Sequence, residues 1–141
     1  MTGIYVAVAA LVLGTALGLV WRRRNGVLRA RPLRKDGDVE RLGESDLGAK
    51  LGERATLVQF STAFCAPCRA TRRILTEVAG MVDGVAHVEI DAEAHLDLVR
   101  RLGVLRTPTV FVLDADGGIV RSGSGLPRKA DIVAALGETV G

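Results

Sequence analysis

Two hydrophobic patterns divide this chain. From Ile4 to Trp21 apolar residues follow one another with no charge, and Thr15 is the one ordinary polar residue among them. From Asp38 onward apolar residues come in short bursts whose spacing alternates between that of a strand and that of a helix. Thr56-Leu57-Val58-Gln59-Phe60-Ser61 reads as a buried strand, and Arg69 to Met81 as a helix, because Ile74, Leu75, Val78 and Met81 recur at helical spacing.

The same reading continues in both directions. Val39 to Leu42 suits a short strand, and Ser45 suits the N-cap of a small helix through Leu51 closed by Gly52. Asp83-Gly84 marks a turn before a strand over Val85 to Asp91, and Leu96, Leu98, Val99 and Leu102 fit a helix ending at Gly103. Thr109 to Leu113 is strand-like, Asp114 to Gly118 a hairpin turn, Ile119 to Ser122 the returning strand, and Pro127 the opening of a last helix. Such alternation implies an α/β sandwich with a mostly parallel sheet. Residues 38–141 are long enough to bury one core.

The N-terminal run is a different object. At about 1.5 Å per residue its 18 residues make a helix of roughly 27 Å, close to a bilayer core of about 30 Å. Tyr5 and Trp21 stand near its ends, where interfacial aromatics belong. Met1-Thr2-Gly3 carries no positive charge, and Trp21-Arg22-Arg23-Arg24 is no small-residue cleavage site, so a membrane span over residues 1–21 fits better than a cleaved signal peptide. Gly14-Thr15-Ala16-Leu17-Gly18 has the small-xxx-small spacing that admits a weak homodimer.

Charge changes the picture after the span. Arg22 to Lys35 holds seven basic residues and no acidic one, so residues 22–37 read as a basic juxtamembrane linker. Without those seven, the chain's formal +3 becomes −4, so its basic character belongs to this segment and gives no support to nucleic-acid binding. Basic residues flanking a span stay on the cytoplasmic side, which predicts a single-pass protein of the cell membrane with its folded domain in the cytoplasm.

The candidate chemistry lies in Phe64-Cys65-Ala66-Pro67-Cys68, which contains both cysteines of the chain at the junction of strand and helix. A sulfur at a helix N-terminus meets unpaired N–H groups and the positive end of the helix dipole, both of which favour thiolate. Pro67 suits the first helical turn, where its missing N–H has no partner to lose. Cys65, nearer the terminus, is the expected attacking sulfur, and Cys68, inside the helix, the expected resolving one. Cys65, Cys68, His87 and His95 lack the close histidine spacing of a structural zinc site, and no metal or other cofactor is expected.

These residues resemble the thioredoxin family over most of residues 38–141. The resemblance is carried by the strand, Cys-x-x-Cys and helix unit, by Val88-Glu89-Ile90-Asp91, and by Gly103-Val104-Leu105-Arg106-Thr107-Pro108-Thr109 leading into a hairpin and terminal helix. It implies a three-layer sandwich with a central mixed sheet, here preceded by one transmembrane helix, and a protein-disulfide reductase working without a cofactor. It also implies a cis peptide bond at Thr107-Pro108 facing the cysteines, and a substrate-docking surface of Phe64, Ala66, Pro67, Thr107, Pro108 and Gly125. Partners would be disulfide-containing proteins and an electron-donating reductase.

Four positions depart from the family pattern. Phe64 stands where tryptophan is usual and Ala66 where glycine is usual, while the family's buried aspartate falls on Gln59 and the lysine often paired with it on His87. Either His87 takes over proton transfer, or Gln59 and His87 form a neutral hydrogen-bonded pair and water moves the proton. An extracytoplasmic oxidant or electron relay, and a non-catalytic adaptor of the same fold, are the alternative functions.

Overall fold

The structure is a computed structural model of the 141-residue chain and describes residues 1–30 and 40–140. Helix α1 (Thr2–Arg24) stands apart from the rest, with no residue buried and a mean hydropathy of 2.2 over its most apolar stretch. Its 23 residues span about 35 Å, long and apolar enough to cross a bilayer.

The remaining elements are β1 (Arg29–Ala30), α2 (Glu44–Leu47), β2 (Ala55–Ser61), α3 (Ala66–Met81), β3 (Val85–Asp91), α4 (Leu96–Leu102), β4 (Thr109–Asp114), β5 (Ile119–Ser124) and α5 (Lys129–Val140). They form one sheet in the order β1-β5-β4-β2-β3. β2 is buried at all seven positions, as a strand covered on both faces must be. One face packs Leu57, Val110 and Val112 against Leu75 and Val78 of α3 and Ile132 and Leu136 of α5. The other packs Val58, Phe60 and Phe111 against Leu47 of α2 and Leu98 and Leu102 of α4. Phe60 and Phe111 meet edge to face at 5.6 Å, an arrangement worth about 0.5–1.5 kcal/mol beyond burial. The chain is therefore a three-layer α/β sandwich with an appended apolar helix.

Several sequence expectations shift. The sheet is mixed, as the family resemblance implies and unlike the mostly parallel sheet that the alternation alone implies: only β2 and β3 run parallel, because the β4–β5 hairpin and its approach from α4 turn the other pairings antiparallel. The expected strand at Val39–Leu42 reduces, in the described residues, to a single antiparallel bridge between Arg41 and Gly118. Helix α2 is capped by Gly43 and not Ser45, since the Asp46 carboxylate reaches back to accept from the Gly43 N–H at 2.9 Å. That N–H, with Arg101 beside it, holds the Asp46 carboxyl below its usual range. Gly48 turns left-handed at φ +66° and ends the helix well before Leu51. Pro127 precedes α5 by two residues instead of opening it.

The largest difference lies in the segment read as a linker. Asn25 continues directly from α1, and β1 pairs antiparallel with β5 through Arg29↔Ser122 and Ala30↔Arg121. Leu28 packs against the core face shared by α3 and α5. An unpaired β5 edge and one apolar residue suffice to recruit the segment, although its basic composition hides the strand. The rest of the expected linker, residues 31–37, lies outside the described residues.

Candidate functional site

The end of β2 delivers the chain to the surface, and α3 begins at once. Cys65 is the N-cap of α3 and its Sγ accepts from the Cys68 N–H at 3.2 Å, while Pro67 occupies the first turn. The two sulfurs are joined as a disulfide. Their surroundings differ: Cys65 is half-buried, whereas Cys68 is 1% exposed beneath the helix. Phe64 is wholly exposed, and Ala66 and Pro67 are exposed beside it.

The loop before β4 carries the cis Thr107-Pro108 bond. Thr107 Oγ1 lies 3.3 Å from Thr62 Oγ1, which ties this loop to the segment entering the cysteines. Gly125 donates its N–H to the Pro108 carbonyl at 2.8 Å, and its φ of +89° is a conformation that favours glycine. Thus the loops holding the pair, Pro108 and Gly125 converge at one end of the sheet.

Behind the pair sits a neutral polar chain. Gln59 is fully buried, and its Nε2 donates to the Cys68 carbonyl at 2.8 Å. A carbonyl only accepts, so the amide must present Nε2 there and its Oε1 to His87, whose Nε2 lies 3.3 Å away. His87 Nε2 therefore carries the proton, and Nδ1 is left to accept from the Thr76 hydroxyl at 3.3 Å. Burial lowers the His87 pKa below 6.5; Glu89 pulls it upward and Arg72 presses it down further. The imidazole is neutral at neutral pH. Arg72, on an exposed face of α3, is held in a two-point pair with Glu89 at 2.6 and 2.8 Å.

A half-buried sulfur at a helix N-terminus, with a fully buried partner one turn on, can exchange disulfides by attack and resolution. Among the described residues no three His, Cys, Asp or Glu side chains gather as a metal-ligand set. His87 is engaged with Gln59 and Thr76, and His95 reaches the Asp91 carbonyl at 3.0 Å.

The family model "Thioredoxin" matches residues 44–138. The chain belongs to the thioredoxin family. It is 27% identical to thioredoxin of Staphylococcus epidermidis, covering 70% of this chain and 94% of that protein. It is 29% identical to thioredoxin of Bacillus subtilis over 61% of this chain and 83% of that one. The fold matches chloroplastic thioredoxin z at TM-score 0.57 and 27% identity, covering 72% and 93% of the two chains. It also matches a mutant thioredoxin from Halobacterium salinarum at TM-score 0.58 and 21% identity, covering 63% and 77%.

The sequence reading missed three residues of this thioredoxin-family site. Thr62 is separated from Thr107 by 45 positions, and no local pattern joins them. Asn25 and Arg106 meet at the rim, where Arg106 donates to Asn25 Oδ1 at 2.9 Å, and Asn25 lies in the segment read as linker. The neutral His87 has a consequence for stability. Its folded pKa is below the unfolded 6.5, so the unfolded chain takes up the proton first and stability falls as pH drops through 6.5. His87→Gln keeps a donor for Gln59, and its melting temperature should fall less steeply than that of the native chain between about pH 6.5 and 5. Thermal unfolding of both chains in the same detergent across that range checks this.

Proposed function

We propose that this chain is a membrane-tethered thiol–disulfide oxidoreductase that reduces protein disulfides. The observation that carries the reading is the contrast between half-buried Cys65 at the N-cap of α3 and Cys68 buried beneath it. In the dithiol form, Cys65 thiolate attacks one sulfur of a substrate disulfide. A Cys65–substrate bond forms, and the substrate's other sulfur leaves as thiolate and takes a proton from water. Cys68 then gives its proton to water and attacks Cys65 Sγ, which releases the second substrate thiolate and leaves the Cys65–Cys68 disulfide. Two electrons have passed to the substrate, and a dithiol reductase restores the pair by the reverse exchange.

Phe64, Ala66, Pro67, Thr107, Pro108 and Gly125 form the docking surface for the substrate chain, as the convergence of their loops supports. Gln59 and His87 hold the backbone of Cys68 and carry no proton in the reaction, because both nitrogens of the neutral ring are already engaged. α1 is the membrane anchor, with Tyr5 and Trp21 exposed near its two ends. The seven basic residues after it support a cytoplasmic domain, where reduction is the working direction.

Cys68→Ser should accumulate mixed disulfides through Cys65, seen as reductant-sensitive adducts on gels, whereas Cys65→Ser should form none and lose all insulin-type reduction. Adducts through Cys68 in the Cys65→Ser chain would reverse the assigned roles. For orientation, a membrane-impermeant maleimide applied to intact cells after mild reduction should leave both cysteines unlabelled until the membrane is opened. Labelling in intact cells would place the domain outside, as an oxidant or electron relay.

A further inference from the structure

We infer that the active-site end of the sheet faces the bilayer at headgroup depth, so that the substrates are disulfides in chains lying on or emerging from the membrane surface. The inference rests on the tethered-oxidoreductase reading and does not depend on which side of the membrane the domain occupies. Its root is a connection with no slack. The Asn25 N–H closes α1 by donating to the Trp21 carbonyl at 3.1 Å, while the same residue's Oδ1 accepts from Arg106 of the domain at 2.9 Å. Its side chain also fills the space beside Gly125, where a Cβ would come within 2.0 Å of Oδ1. One residue is thus both the cap of the membrane helix and a contact of the catalytic rim.

The next residues lock the direction. Gly26 donates to the Ser124 carbonyl and takes φ +77°, with no room for a Cβ against the Leu126 carbonyl at 1.9 Å. β1 then runs antiparallel to β5, so the N-terminal end of the arm lies where β5 ends, beside Gly125 and Pro108. Asn25 lies four residues beyond Trp21, about 6 Å along the helix axis, which is the depth of a headgroup layer. Three strand spacings separate β1 from β2 in the sheet order, so the cysteine loop lies roughly 15 Å to the side of the arm.

The chemistry of this end fits an anionic lipid surface. Arg24, Arg29 and Arg106 line a cleft of about 420 Å³ between the helix terminus and the sheet, with hydroxyls of Thr109, Ser122 and Ser124 and no carboxylate. Neither Arg24 nor Arg29 has an ion-pair partner among the described residues. Phe64 and Leu105, 100% and 95% exposed, add apolar tips to the same rim. The acidic groups toward this end, Glu89, Asp91 and Glu93, lie on or just past the end of β3, across the sheet from the arm; Glu89 and Asp91 share a groove with Cys65, where Arg69 and Arg72 stand beside them. The β5 edge is therefore the one nearest the bilayer, and the β3 edge tilts away.

The test uses the full chain reconstituted in vesicles of phosphatidylcholine and phosphatidylglycerol, with two single-span peptides as substrates. One carries its disulfide about five residues beyond the span, the other beyond a flexible spacer of about 25 residues, which lifts it roughly 25–30 Å. The near disulfide should be reduced about tenfold faster. A flexible insertion of about 25 residues between Arg24 and Asn25 should bring the two rates within about twofold of each other, while reduction of soluble insulin stays unchanged. Equal rates with the native chain, or a preference that survives the insertion, would overturn the inference. Vesicle flotation of the chain and its insulin activity are read separately: loss of either would sink the tethered-oxidoreductase reading itself, and the inference with it.

Discussion

The complete burial of β2 is the constraint on which the rest of the structure depends. A strand covered on both faces, paired parallel to β3 and antiparallel to β4, can reach solvent only at its end. The chain leaves it at Ser61 and must return over the sheet as α3, so the helix terminus and its free N–H groups fall where the strand stops. Cys65 occupies that cap. Because β4 runs the opposite way beside β2, its beginning comes to the same end, and Pro108 arrives there with it. The Cys65 sulfur and the Pro108 loop are brought to one end of the sheet by strand direction alone.

The support beneath the pair is neutral. A buried carboxylate would bring a charge with a large desolvation cost, and Gln59 brings none. It satisfies the Cys68 carbonyl and fixes the His87 tautomer, and no buried polar side-chain atom among the described residues is left without a partner. The charges nearby, Arg72 and Glu89, are paired at the partly exposed edge. Among the described residues the polar side chains behind the pair are Gln59 and neutral His87, so in the proposed exchange Cys68 delivers its proton to water.

Much of this was legible in the sequence because it is local. Apolar periodicity locates β2, α3, β3, α4 and the β4–β5 hairpin to within one to three residues, and Cys65-Ala66-Pro67-Cys68 marks the junction. The resemblance supplied the cis bond at Pro108, which periodicity could not. The illegible parts are contacts across the chain. The Thr62–Thr107 pair has no sequence signature. The α2 cap falls at Gly43 because Asp46, three residues on, accepts from its N–H, a contact that the Ser45 hydroxyl does not signal. The arm failed for a physical reason: two residues of β1 are held by the β5 edge and by Leu28, and its basic composition follows from its place beside the apolar helix and says nothing of pairing.

The central claim is an asymmetry between two cysteines three residues apart, produced by where a strand ends and a helix begins. Reduced full-length protein, treated briefly with limiting iodoacetamide at neutral pH and digested for mass mapping, measures that asymmetry directly. Cys65 should be modified first and take nearly all of the early label. Equal labelling, or earlier modification of Cys68, would contradict it.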